Sequence, residues 1–306
     1  MLKIVKTEDV IRVDQIVTVI YGSPGLGKST LGFSADAPLT LDFDKGCYRA
    51  SNRKDSVHID SWGDITSITV ADLEPYNTVI VDTAGRALDF LTVDIIRRNP
   101  KHGNGGALTL QGYGVLKSNF TTWLNSLKIL GKDVVIIAHS SEDKKGDDII
   151  ERLDVQGGSK GEIYKSSDAM GRLSLINGQR TLSFSPTDTA FGKNPGCLPS
   201  LSVPDILKDP LFLAKIIQQI KDKLNELSET QQARQKVVAK WDAKFLEVRT
   251  PEAFTKLIEE VKKADKDICP ILKGNLHKKA TEAGMVFDTE TSQYIIPMPE
   301  KEREAA

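Results

Sequence analysis

The run Gly22-Ser23-Pro24-Gly25-Leu26-Gly27-Lys28-Ser29-Thr30 fits the pattern G-x-x-x-x-G-K-[ST], a set of residue types whose joint chemistry is to hold a phosphate chain. Gly22, Gly25 and Gly27 permit positive φ and a close approach of backbone N–H groups to phosphate oxygens. Lys28 brings a cation to the β- and γ-phosphates, and Ser29 offers its hydroxyl to a magnesium ion, so ATP and Mg²⁺ are the expected cofactors. Asp82 ends the apolar run Thr78-Val79-Ile80-Val81, where an acid can hold the hydration shell of the same metal. Hydrolysis also needs a carboxylate to orient and polarise the attacking water. Asp42 and Asp44 end another such run, and Asp44 stands nearer the carboxyl edge of the strand, where ligands sit in open α/β sheets. The alternative is that both acids cap a turn at Gly46. His139 follows Val134–Ala138, a strand tip from which a polar group can sense the γ-phosphate; the alternative is a satisfied surface histidine. Lys28, Asp44 and His139 are thus the candidate catalytic residues.

These groups need strands that end together. Ile16–Tyr21, Leu39–Asp42, Val57–Asp60, Thr78–Val81 and Val134–Ala138 read as buried strands, separated by helical stretches near 28–35, 87–98 and 115–130. That alternation predicts an α/β fold with a mostly parallel sheet. Gly171–Ile176 and Thr181–Ser185 flank Asn177-Gly178 and read as a hairpin closing one sheet edge. Two stretches, 99–106 and 143–167, read as long mobile loops. After Pro204 the chain becomes rich in Lys, Gln, Glu and Leu. The expected division is an ATPase core over 1–203, a helical linker over 204–249, and a small C-terminal α+β unit and tail over 250–306. In that last unit Thr250-Pro251 opens a helix, Gly284 stops a second, and 285–288 pairs with 293–296. A fragment ending at Val203 is expected to fold and bind nucleotide.

The 306 residues are 40% hydrophobic and 27% charged, an ordinary globular composition. With 41 basic against 42 acidic side chains the net charge is −1, so any nucleic-acid affinity must come from a local patch. Cys47, Cys197 and Cys269 lack metal-site spacing and read as reduced thiols. Residues 1–9 lack the apolar core of a signal peptide, and no apolar run suffices to span a bilayer. A cytoplasmic protein with no membrane partner is expected.

On Gly22–Thr30, the Asp42-Phe43-Asp44 strand end, the Val79–Thr83 strand and the tip Ile137-Ala138-His139, the chain resembles RecA-type ATPases. More narrowly, it is similar to short RecA-core ATP-binding proteins of bacteriophages, some of which act as single-strand annealing recombinases. Gln111-Gly112-Tyr113-Gly114 adds a loose match. The resemblance spans roughly residues 14 to 201 and implies a RecA-like P-loop core with two DNA-facing loops. It implies assembly as a ring or filament, with basic residues reaching a neighbour's ATP; Lys160, Lys165, Arg172 and Lys193 are the candidates. RecA itself has Glu where Asp44 stands, and Gln where His139 stands.

Function is accordingly expected to be that of a DNA-stimulated ATPase in the host cytoplasm, which binds single-stranded DNA and promotes annealing or recombination. A single-strand-binding protein or another recombination factor is a further expected partner. Arg97, Arg98 and Lys101 read as an acid-free basic cluster; Lys144, Lys145, Arg152, Lys160 and Lys165 populate the second loop but are diluted by Asp147, Asp148, Glu151, Asp154 and Glu162, the alternative there being a solvated mixed-charge loop. Tyr113 and Tyr164 are candidates for stacking on bases. The competing reading is a nucleotide-switched interaction protein of the replication-factor-loader type, with the helical region as its partner surface.

Overall fold

The computed structural model describes residues 9, 11–145, 148–156 and 158–297, the side chains of Lys145 and Asp148 excepted. The stretch read for a signal peptide (Asp9 apart), positions 146, 147 and 157 of the second loop, and the charged tail lie outside the described residues. Two compact units are present: Val13–Asn225, and the segment from Glu226 onward together with the described residues before Val13.

The first unit runs β1 (Val17–Gly22), α1 (Lys28–Gly32), β2 (Pro38–Asp42), β3 (Ser56–His58), α2 (Trp62–Ser67), α3 (Val70–Leu73), β4 (Thr78–Asp82) and α4 (Ala84–Arg98). It continues with the short pair β5 (Gly103–Asn104) and β6 (Ala107–Leu108), then α5 (Leu110–Ile129), β7 (Asp133–Lys145), β8 (Asp148–Leu153) and α6 (Ser159–Ser166). β9 (Ala169–Ile176), β10 (Gln179–Ser183), β11 (Leu201–Ser202) and the first turns of α7 (Phe212–Glu247) complete it. Across the sheet the order is β11-β10-β9-β1-β7-β4-β2-β3. Every pairing from β9 to β3 is parallel.

Both faces of this sheet are buried, which is why its strands read as continuous apolar runs. Val17, Val19 and Tyr21 join one core with Val79, Val81, Val134 and Ile136, packed under α4 and α5 through Leu88, Leu91, Leu116 and Phe120. The alternate residues Ile20, Ile80, Val135 and Ile137 face a second core. That second face is covered by Leu31, Phe33, Val203, Ile206 and then Leu213, Ile216, Ile217 and Ile220 of α7. The compact unit therefore reaches past the expected boundary at 204, to Asn225. The change in composition at Pro204 marks the arrival of an amphipathic helix, not the end of the core.

Among the described residues, both expected loops contain regular secondary structure. Residues 99–106 form a single turn, Pro100–His102, and the β5–β6 hairpin. In the second stretch β7 runs on past the sheet to pair antiparallel with β8, and α6 follows. Ile150, Leu153 and Ile163 are buried there, at a spacing that the surrounding charges conceal. The β9–β10 hairpin turns at Asn177 and Gly178, both at positive φ, as a two-residue turn requires. β11 lies beyond β10, so the hairpin stands one strand in from the edge.

The second unit has its own core of Phe245, Phe254, Leu257, Val261, Leu272, Leu276 and Tyr294. It contains the rest of α7, α8 (Pro251–Lys262), α9 (Cys269–Glu282) and the hairpin β12 (Val286–Asp288)–β13 (Gln293–Ile295). Thr250 caps α8, its hydroxyl accepting from Ala253 N at 3.4 Å. Among the described residues no helix is long and apolar enough to cross a membrane. The three cysteines are free thiols.

Candidate nucleotide site

β1 delivers the chain to Gly22, where the backbone must pass close to β9. A Cβ on Gly22 would stand 2.2 Å from Leu173 O, so only glycine fits. The loop closes through Gly25 and Gly27 at φ of 80° and 83° and enters α1 at Lys28. Lys28 is buried, and its ammonium donates to Gly22 O and Ser23 O, each at 2.8 Å. Burial lowers its pKa to about 8, opposed by the charges of Asp82 and Asp44. An anion in the loop would restore a full positive charge there.

Register then brings the strand ends together. β7 lies between β1 and β4, pairing Gly22 with His139, while β2 pairs with β4 to set Asp42 beside Asp82. Lys28 Nζ lies 3.3 Å from His139 Nδ1. Burial and then the Lys28 charge lower the His139 pKa, favouring a neutral ring that can accept at Nδ1. Asp82 is buried, and that burial raises its pKa to about 6; a hydrogen bond with Ser29 opposes this, while Asp44 and Asp42 add to it.

The two acids at and just beyond the end of β2 are held differently. Asp42 is fully buried and accepts from Gly46 N at 3.0 Å and Cys47 N at 3.1 Å, one bond to each carboxylate oxygen. It caps the turn. Asp44 is held on the other side of that turn by Thr83 Oγ1 at 3.3 Å and Arg86 Nε at 3.1 Å. Arg86, on the first turn of α4, also pairs with Asp89, whose other oxygen accepts from Gln156 Nε2 at 2.5 Å. No motif marks Arg86, Asp89 or Gln156; only the packing of α4 against the end of β8 joins them.

Ser29 and Asp82 fit a magnesium ion by their chemistry: a hydroxyl and a buried carboxylate lacking full countercharge, both hard oxygen donors. Among the described residues no group of three or more His, Cys, Asp or Glu is arranged to hold a metal. Two protein oxygens suit an ion that keeps several waters and shares phosphate oxygens. When bound, it would neutralise charge on the β- and γ-phosphates.

A family model described as an AAA domain matches residues 14–195. The chain belongs to this family. An AAA domain is a P-loop ATPase, which agrees with the loop, the acids and the mostly parallel sheet. The chain is also 33% identical over 144 residues to the SPbeta prophage-derived uncharacterized protein YorG of Bacillus subtilis (strain 168), a stretch covering 42% of each chain. The match thus spans less than half the length of that relative.

Away from the nucleotide loop of this AAA domain, the basic residues divide into tied and free. Arg97 and Arg98 both pair with the nearly buried Asp94, one helical turn back, so the cluster is not acid-free. The i,i+3 and i,i+4 spacing on α4 creates those pairs. Lys165 pairs with Glu162, Arg172 with Glu151 at 2.5 Å, and Lys193 donates to the Tyr164 and Ser167 carbonyls. Lys101 and Lys144 are exposed and Lys160 is half-buried; none of the three has an ion-pair partner among the described residues. Tyr113, on the first turn of α5, and Tyr164, on α6, are each more than a third exposed.

Proposed function

We propose that this AAA-domain chain is a phage-type, RecA-like ATPase that binds single-stranded DNA under control of its nucleotide and promotes annealing or recombination. The prophage origin of the related YorG and the order of motifs along the chain support the phage and RecA-like parts of this reading. Lys28 neutralises the phosphate chain, Ser29 and Asp82 hold the magnesium ion, and Asp44 orients the attacking water. Arg86 and Thr83 fix the Asp44 carboxylate for that task.

One observation carries the DNA reading. His139, 3.3 Å from the P-loop lysine, stands on the same strand that continues into the β7–β8 hairpin bearing Lys144, Lys145 and Arg152. A group that senses the γ-phosphate is therefore joined by continuous backbone to a hairpin that exposes Lys144, beside the exposed acids Glu142 and Asp143. The chain Asp44–Arg86–Asp89–Gln156 gives a second route from the site to the residues after β8. Assembly of identical chains into a ring or filament would line up these hairpins along one strand of DNA, and bound DNA would in turn stimulate hydrolysis. A single-strand-binding protein is the natural competitor for the same DNA.

Affinity for a fluorescent single-stranded oligonucleotide tests this, measured without nucleotide and with a non-hydrolysable ATP analogue. The analogue should tighten binding several-fold, and DNA should tighten analogue binding by the same factor, because linkage is reciprocal. His139→Ala should flatten that difference with little loss of ATP binding. A wild-type chain without single-stranded DNA affinity at low salt, in either nucleotide state, overturns the reading and leaves the nucleotide-switched interaction protein.

A further inference from the structure

The β9–β10 hairpin brings to the P-loop a charge that the motif does not contain. Arg180, opposite Leu175 in the hairpin, reaches back so that Nη1 lies 2.8 Å from where a Cβ on Gly27 would stand. The same Cβ position is 3.9 Å from Thr30 Cβ. Arg180 is half-buried, and among the described residues its guanidinium donates no hydrogen bond and meets no carboxylate. Other arginines of this unit are engaged. Arg172 is paired with Glu151, Arg152 lies over the Phe191 ring, and Arg86 is held by Asp44.

A guanidinium has five donors and stays charged at any physiological pH. Partly desolvated, unpaired and set beside the loop that also holds Lys28, it gains nothing in the ligand-free chain. A phosphate in the loop would supply the missing acceptor and offset the repulsion. Its position narrows which phosphate. P-loop backbone N–H groups cradle the α- and β-phosphates, while the lysine reaches the β- and γ-phosphates. The Lys28 ammonium lies at the Gly22, Ser23 and His139 end of the loop, whereas the Arg180 guanidinium lies at Gly27, where the loop enters α1.

We propose that Arg180 is a nucleotide ligand supplied by the same chain, binding the α/β-phosphate portion that ATP and ADP share; this rests on the reading of the P-loop as a nucleotide site. Lys28, His139 and Asp44 then distinguish ATP from ADP, and Arg180 sets the affinity for both. The hairpin becomes a clamp over the loop.

The test is calorimetric titration of the full chain, as wild type, Arg180→Ala and Arg180→Lys, with ADP and with a non-hydrolysable ATP analogue, beside ligand-free melting curves. Arg180→Ala should weaken both nucleotides by the same factor, about 10- to 100-fold for a lost charge-assisted contact. Its ligand-free melting temperature should stay at the parent value, because no bond is lost, while the nucleotide-induced rise shrinks. Arg180→Lys should recover part of the affinity as a point charge. Parent affinity for both nucleotides in Arg180→Ala overturns the inference, as does a loss confined to the ATP analogue. A lowered ligand-free melting temperature would make the residue structural and equally overturn it. A wild-type chain that binds neither nucleotide overturns the P-loop reading itself, and the inference with it.

Discussion

Removing everything after Val203 should unfold the ATPase core, although every nucleotide-site motif lies upstream of that residue. The truncation deletes Ile206, Leu213, Ile216, Ile217 and Ile220, all 3% exposed or less, which cover the second face of the sheet. Burying one such side chain is worth about 1.5–3 kcal/mol, so the five together account for roughly 7–15 kcal/mol. Whole domains are stable by only about 5–15 kcal/mol. The cut also removes Lys221, paired with the buried Asp133 at 2.8 Å, and the Leu213 and Ala214 amides bonded to Ser34. Only Leu31, Phe33 and a few neighbours would remain over Ile20, Ile80, Val135 and Ile137. Fragment 1–230, by contrast, keeps all of these and the pair of hydrogen bonds between Asn225 and Val13. Thermal unfolding by circular dichroism and ADP titration of the two fragments decide the matter. Fragment 1–230 should melt cooperatively and bind ADP, whereas fragment 1–203 should be insoluble or melt without a transition. A cooperative melt and parent nucleotide affinity in fragment 1–203 would refute the argument and restore the division at 204.

Lys28→Ala should abolish tight ATP binding while leaving the fold intact, since among the described residues its ammonium bonds to loop carbonyls and His139; calorimetry showing parent affinity would remove the loop as a phosphate site. Asp44→Asn should keep nucleotide binding and lose about 10²–10⁴-fold in turnover, the usual effect of losing a general base. Asp42→Ala should instead lower the melting temperature, because the part-buried Gly46 amide and the buried Cys47 amide lose their acceptor, the buried one at about 1–3 kcal/mol, and an unchanged melt would contradict its capping role. Lys144→Ala should weaken single-stranded DNA binding and make the slope of log K against log salt shallower by about 0.7. Arg98→Ala should change that slope less, because Asp94 already neutralises it; equal slopes for the two variants would show that the hairpin is not the DNA surface.

What the sequence determined by itself was local or periodic. The P-loop is contiguous, so its glycines, Lys28 and Ser29 could be read without tertiary knowledge. Strands buried on both faces must be apolar throughout, which exposed β1, β4 and β7 and the polar residues at their tips. Turn chemistry at Asn177-Gly178 and capping chemistry at Thr250-Pro251 were equally plain. Tertiary structure decided what depends on distance between elements. Asp42 and Asp44 are two residues apart and alike in type; only the path of the backbone through Gly46 and Cys47 gave one to the turn and left the other facing Arg86. The pairing of Arg97 and Arg98 with Asp94 follows from helical spacing, yet the run 97–101 read alone contains no acid. Residues 143–167 looked like a loop because charges outnumber apolar groups, but a hairpin needs backbone pairing and only a few buried anchors. Arg180 and the covering face of α7 were least legible. A guanidinium meeting the P-loop from 153 positions further along the chain leaves no local pattern, and an amphipathic helix does not state which sheet it covers.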